Sequence, residues 1–263
     1  MKLMSIASGS SGNATYVGNN DTHLLIDSGV SKKKITEGLK RLGLALSDLD
    51  AILITHEHSD HICSLNTIRK SEDLPVYCTA GTASEIVRKC SPDFNDNIQI
   101  IKSEKPFEIG SILIDPYDIC HDASEPVCYR FKDNFSSCGI ITDLGYYDQY
   151  LVNAFSECDA VIVESNHDIR MLEAGPYPYP LKRRIAGKYG HLSNEDAGKF
   201  ISMLLNDHMK YVVLGHLSKK NNYADLAWIT VRNCIEYSNS DYKAGDFHIE
   251  VASQEYGTDI YEF

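Results

Sequence analysis

Residues 51–61 read AILITHEHSDH, an apolar run followed by three histidines and two acids within seven residues. The stretch 51–55 has the length and β-branched content of a buried strand. A strand ending there leaves His56, His58, Asp60 and His61 on one loop, able to turn toward one point. Neutral imidazoles and carboxylates are first-choice ligands for zinc and similar divalent ions. A tetrahedral catalytic ion usually takes three protein ligands and a water. Four candidate ligands on one loop therefore point to two ions, each completed from elsewhere in the chain.

Further candidates follow other apolar runs. His121 follows ILIDPYDIC, Asp143 follows GIIT and His216 follows YVVLG. Strand ends set side chains on a common rim, where ligands from separate segments converge. A single histidine after a strand is usually a satisfied polar residue. Several such positions together with the dense loop form the pattern of a metal site.

Around these residues, short β-like runs alternate with helical patterns. Strands are expected at 2–8, 23–28, 51–55, 75–79, 111–120, 127–131, 138–142, 160–165, 211–216 and about 246–252. Helices are expected over 31–43, from near His61, from near Gly81, over 193–205 and over about 222–237. Ile35, Leu39 and Leu42 share a face of the first, with Gly43 as its stop. Ser193, with Asp196 three residues on, is a capping signal, and Ala197, Phe200, Ile201 and Leu204 form that helix's apolar face. GPYPYP (175–180) reads as a loop. No repeat, low-complexity tract or linker divides the chain, so one domain over residues 1–263 is expected.

Bulk properties restrict the function classes. The formal net charge of −12 argues against a protein that coats nucleic acid non-specifically, though not against a locally positive cleft. Eight scattered cysteines without a CxxC pair read as reduced thiols rather than a disulfide framework. The N-terminus MKLMSIASGSSGN lacks a signal-peptide core, and no run approaches the ~18–20 apolar residues of a membrane span. A cytoplasmic protein with no membrane partner is expected.

THEHSDH matches the HxHxDH signature of the metallo-β-lactamase superfamily. Asp27 in LLIDSG, His121, Asp143 in TDLG and His216 follow in the family's order, so the resemblance spans essentially the whole chain. It implies an α/β fold, the αββα sandwich of two mixed β-sheets flanked by helices, with a dinuclear site. His56, His58 and His121 would hold one ion. Asp60, His61 and His216 would hold the other, with Asp143 bridging and Asp60 counted among the catalytic residues. Asp27 would order the loop without binding metal. Zinc suits these ligands, and manganese or iron also fit. The implied chemistry is hydrolysis by a metal-bridging hydroxide.

Three features bear on the bond that is cut. GSSGN (9–13) resembles the N-terminal signature of the YycJ/WalJ-type (VicX-like) branch, and Ser10, Ser11 and Asn13 are candidate phosphate contacts. KYGHLSNEDAG resembles the histidine loop of the tRNase Z branch, making His191 a candidate general acid oriented by Glu164. YPYPLKRRIAGKYGH (177–191) interleaves tyrosines with cations, and Arg184, Lys188 and, beyond His216, Lys219 are candidate contacts to a nucleic-acid strand. Only 72 residues lie between Asp143 and His216, too few for a β-CASP insertion. The resemblance implies a phosphodiesterase, a 5′-to-3′ exonuclease on DNA. A hydrolase of small esters, thioesters or lactones and a non-enzymatic regulatory protein are the alternatives.

Overall fold

Strands buried on both faces read as continuous apolar runs, the mark of parallel sheets; HLLI, AIL, AVIVE and YVVLG are such runs. The protein is described from a computed structural model covering residues 1–90 and 97–263. Its strands sort into two mixed sheets flanked by helices, the fold class expected. The chain divides into two compact units. The first is Met1–Asp118 with Ala123–Phe135 and Ser253–Glu262, and the second is Ile119–Asp122 with Ser136–Ala252 and Phe263.

The first unit begins with β1 (Lys2–Ala7), β2 (Ala14–Gly18), β3 (His23–Ile26), α1 (Lys32–Arg41), β4 (Ala51–Leu53), α2 (Ser59–Ile62) and α3 (Leu65–Arg69). It continues with β5 (Val76–Thr79), α4 (Ala80–Lys89), β6 (Ile98–Ile101), β7 (Phe107–Ile109), β8 (Ile112–Asp118) and β9 (Val127–Lys132). A last strand, β14 (Tyr261–Glu262), closes on β1. The sheet order is β14-β1-β2-β3-β4-β5-β6, antiparallel as far as β3 and parallel from β3 to β6. β7, β8 and β9 form an antiparallel set. Tyr129 on β9 donates to Ile54 O (2.8 Å), and Phe107 stacks on Tyr77 at 5.3 Å.

Helix α1 follows its sequence signals. Ser31 caps it by accepting from Lys34 N, Lys40 and Arg41 lie in its last turn, and Ile35 and Leu39 are fully buried. Gly43 takes φ +76°, the left-handed stop. Their burial joins Met4, Ile6, Tyr16, Leu25 and Ile52 in one core. Parallel pairing carries consequences for the site. Ile26 is opposite Leu53, and Asp27 N donates to Leu53 O (2.8 Å), so Asp27 and the 55–61 loop leave the sheet at the same edge.

The second unit holds four parallel strands in the order β10 (Ser137–Ile141), β11 (Ala160–Glu164), β12 (Tyr211–Gly215) and β13 (His248–Val251). Its helices are α5 (Gln149–Phe155), α6 (Ile169–Ala174), α7 (Tyr179–Ile185), α8 (Asn194–Leu204) and α9 (Ala224–Glu236). Ser193 caps α8 (Asp196 N to Oγ, 3.1 Å), and the expected face of Ala197, Phe200, Ile201 and Leu204 is buried. The loop expected over 175–180 stops short: Tyr179 and Pro180 already belong to α7. First-turn N–H groups have no helical partner, so proline costs nothing there. Helix α7 buries none of its own residues.

All eight cysteines are free thiols, as expected, and only Cys63 is exposed. No helix among the described residues is long and apolar enough to cross a membrane.

Candidate active site

In the first unit the 55–61 loop is braced from three sides. Asp27 carries most of the load. Its carboxylate accepts from Thr55 N (2.9 Å) and Thr55 Oγ1 (2.9 Å), and holds His61 Nδ1 at 2.8 Å. Thr55 Oγ1 also lies 3.0 Å from His56 Nδ1. With both Nδ1 atoms engaged, His56 and His61 are left to present Nε2. His56 Nε2 stands 3.1 Å from His58 Nδ1. Two imidazole nitrogens sharing one tetrahedral ion at 2.0–2.1 Å are separated by about 3.3 Å, so this pair has chelating geometry. Asp60 Oδ2 lies 3.6 Å from His61 Nε2.

The second brace is the GSSGN turn. Asn13 N donates to Asp60 O (2.8 Å), and Asn13 Nδ2 lies 3.1 Å from His61 Nε2. Asn13 Oδ1 accepts from Gly9 N, and Gly12 N donates to Gly9 O. Asn13 is thus bonded to the 55–61 loop, while Ser10 and Ser11 are exposed. The third brace is Gly29, packed so closely that a Cβ there would fall 1.5 Å from Asp60 O. Glu57, the acid inside the motif, points elsewhere: buried, it accepts from Ser124 N at 2.9 Å.

In the second unit the parallel register puts the ends of β10, β11 and β12 at one edge. Asp143, Glu164 and His216 stand there, consistent with the rule that α/β sites form at the carboxyl ends of strands. Asp143 Oδ1 is 3.3 Å from His216 Nε2 and 3.9 Å from His121 Nε2, so one carboxylate oxygen neighbours both imidazoles. His121 Nδ1 meets Gly190 O at 3.2 Å. Ligand atoms from Asp143, Glu164, His191 and His216 all lie within 4.8 Å of one another, a donor set that fits a divalent ion.

Glu164 organises this edge. It is fully buried; Oε2 accepts from Asp143 N (2.8 Å) and lies 3.0 Å from His191 Nδ1 and 3.3 Å from His216 Nδ1. Oε1 accepts from Leu192 N (2.6 Å). Burial alone would push its carboxyl up. The imidazoles of His191 and His216 outweigh burial and hold it well below the usual range. Asn166 Nδ2 fixes the next turn by donating to His216 O (2.9 Å).

Three of the expected site residues sit in left-handed backbone: Asp27 at φ 60°, Asp143 at 62° and His216 at 55°. For residues other than glycine that conformation costs roughly 1–2 kcal/mol each. Such strain clusters where function fixes a side chain.

The cations are less uniform than their sequence suggests. Arg184 is bound to Asp122, the neighbour of His121, so its charge is already matched. Other cations of the second unit lie over tyrosine faces, Arg183 on Tyr179 (6.0 Å), Lys220 on Tyr177 (5.4 Å) and Lys188 on Tyr146 (5.2 Å) and Tyr189 (6.0 Å). Lys219 is exposed. His23 is 2.8 Å from Tyr16 OH, and His208 and His248 lie on the surface. Spacing did not reveal Thr55 or Asn166 as site residues, because their roles come from contacts between distant segments.

The chain is similar to known proteins along most of its length. The model of the "Beta-lactamase superfamily domain" matches residues 22–216. A Bacillus anthracis protein named exodeoxyribonuclease YycJ is 38% identical over 88% of both chains. One named exodeoxyribonuclease WalJ, from Streptococcus pneumoniae serotype 2 strain D39, is 36% identical over 99% of this chain and 97% of its own. Among solved structures, the metallo-beta-lactamase fold protein YhfI from Bacillus subtilis superposes with a TM-score of 0.69. It covers 99% of each chain at 17% identity, a likeness of fold.

Proposed function

The chain belongs to the beta-lactamase superfamily of metal-dependent hydrolases, and from that premise we propose that it is a dinuclear DNA exonuclease working 5′ to 3′. The observation that carries the proposal is the near full-length likeness to two relatives named as exodeoxyribonucleases.

In the arrangement that the family resemblance implies, residues 1–263 act as one catalytic domain. His56, His58 and His121 would hold one ion and Asp60, His61 and His216 the other, with Asp143 a ligand common to both. Zinc suits these donors, and manganese and iron are also compatible. When bound, the ions supply acidified water and stabilise charge on the phosphoryl oxygens. The chain's own residues do the rest. Asp27 holds the His61 ring in one orientation. Glu164 holds His191 by Nδ1, which leaves Nε2 to deliver a proton to the departing oxygen. Ser10, Ser11, Lys188 and Lys219 meet phosphates of the DNA, and the tyrosine faces beside the cations stack bases. Arg184 acts through Asp122 in this reading, and Asn13 through the metal loop.

The test is a substrate panel on metal-loaded protein: 5′-phosphorylated single- and double-stranded DNA, RNA, a thioester and a lactone, with His58→Ala and Asp143→Ala alongside. Nucleotide release from DNA 5′ ends, lost in both variants, is the expected result. Thioester or lactone turnover without nuclease activity in any metal would move the protein to the small-ester reading.

A further inference from the structure

Within the second unit lies a cavity of about 440 Å³, in the size range of small-molecule sites. One side is apolar, from Ile169 and Leu172 of α6 and Ala186 at the end of α7. Tyr179 and the cations Lys182 and Arg183 come from α7. His191 also lines it, so the cavity opens beside the proposed proton donor.

The remaining wall includes His167, whose role the metal chemistry does not explain. Its side chain is 2% exposed, and its Nδ1 has no hydrogen-bond partner among the described residues. Buried polar atoms without a partner are uncommon, and a ligand in the cavity that this residue lines would account for this one. The backbone around it is fixed: His167 bridges Ser193, and Asn194 N donates to His167 O at 2.9 Å. Burial keeps the ring neutral, pushing its pKa down to about 4 against the opposing pull of Glu164. A neutral imidazole offers one donor and one acceptor. The lining carries two cations, Lys182 and Arg183, and two acids, one of them already paired. Asp196 is committed to Ser193 Oγ (2.9 Å) and Lys199 (3.0 Å), and Glu173 is exposed.

A flat group with hydrogen-bonding edges, joined to a phosphate, matches this lining. We propose that the cavity is a nucleotide subsite, taking the unpaired base of the nucleotide next to the scissile phosphate, with His167 on the base edge and Tyr179 against its face. The proposal rests on the nuclease reading for its ligand class. It carries a consequence for substrate form: a base seated there has left its duplex, so frayed or single-stranded ends bind more readily than closed ones.

Calorimetry on the metal-loaded protein tests this without relying on turnover. A deoxynucleoside 5′-monophosphate is compared with deoxyribose 5-phosphate on wild type, His167→Ala and Ala186→Trp. Base stacking is worth about 1–3 kcal/mol, so the nucleotide is expected to bind roughly 5- to 150-fold more tightly. Ala186 is exposed, so tryptophan there obstructs the cavity without entering the core. Both substitutions are expected to erase most of the preference while leaving sugar-phosphate binding in place. Equal binding of the two phosphates by wild type, or a preference that survives Ala186→Trp, overturns the subsite. A protein that cleaves DNA without the preference loses the subsite alone. One that prefers the nucleotide but cleaves no DNA loses the nuclease reading and keeps the subsite.

Discussion

His191 Nδ1 lies 3.0 Å from Glu164 Oε2, and the same oxygen accepts the backbone N–H of Asp143. One buried carboxylate therefore sets both the orientation of the proposed proton donor and the turn that carries the proposed bridging ligand. Replacing His191 with alanine should lower the rate on DNA by about 10²–10⁴-fold, the usual contribution of a positioned acid, with metal content kept. A phosphodiester with a bridging sulfur, whose leaving group needs no proton, should recover most of that loss. Metal analysis and single-turnover rates on both substrates check this; loss of metal would make His191 a ligand instead.

In the proposed site Asp27 acts at one remove from the ions. Its carboxylate holds His61 Nδ1 at 2.8 Å and Thr55 through both N and Oγ1. Asp27→Asn keeps the shape but replaces an acceptor oxygen with a donor. Partners of metal-bound histidines typically contribute 10–100-fold in affinity. Competition against a chelator should show a loss in about that range, with the melting curve little changed at saturating metal.

Gly29 and Gly43 separate two uses of glycine. A Cβ on Gly29 would meet Asp60 O at 1.5 Å and Asn13 N at 2.8 Å, both backbone atoms of the 55–61 loop and its brace. Gly29→Ala should cost about 3 kcal/mol or more and release bound metal, since overpacking here displaces main chain. At Gly43, φ is +76° and nothing lies within 4 Å of an added Cβ, so alanine meets only the strain of left-handed backbone. Roughly 1–2 kcal/mol with metal retained is expected. Urea denaturation with metal quantitation distinguishes the two.

Buried titratable groups predict stability limits at both ends of the pH scale. Burial, with Glu125 and Glu57 nearby, pushes the Cys78 thiol up to about 12. Between pH ~9 and ~12 the unfolded thiol ionises while the folded one keeps its proton. The fold then binds more protons, and stability falls as pH rises, by up to about 1.4 kcal/mol per pH unit for this group. At the acid end His167 stays neutral in the fold down to about 4. From pH ~6.5 downward the unfolded ring gains a proton that the folded ring does not, so stability falls as pH falls. Cys78→Ala should flatten the alkaline limb, and His167→Phe the acid limb, of a denaturation-midpoint profile at fixed metal.

The fold class and the proposed ligands were legible because both lie in local pattern. Apolar runs ending in His, Asp or Glu are what a parallel sheet with a site at its carboxyl edge looks like in one dimension. Shorter or less buried elements were not legible. β7 has three residues and β6 exposes two of its four, so neither offers a full period. α7 hides behind Pro178 at its N-cap and Pro180 in its first turn. The braces were invisible for a different reason. Asn13 and Asp60 are 47 residues apart, and only the folded chain reveals that Asn13 reaches the 55–61 loop. The pairing of Arg184 with Asp122, 62 residues away, was equally invisible in the sequence.

Helix α7 supplies Tyr179, Lys182 and Arg183 to the cavity yet buries none of its seven residues. Substitutions at such positions usually shift stability by within about ±0.5 kcal/mol. Selection can therefore rewrite this helix freely, whereas the loop pressed against Gly29 has almost no permitted alternatives. Reaction chemistry and substrate choice are thus encoded in segments with very different tolerance to mutation. Divergence in what the protein accepts is expected to accumulate in α7 while the chemistry stays unchanged, and a library confined to residues 179–185 is the economical place to look for altered specificity.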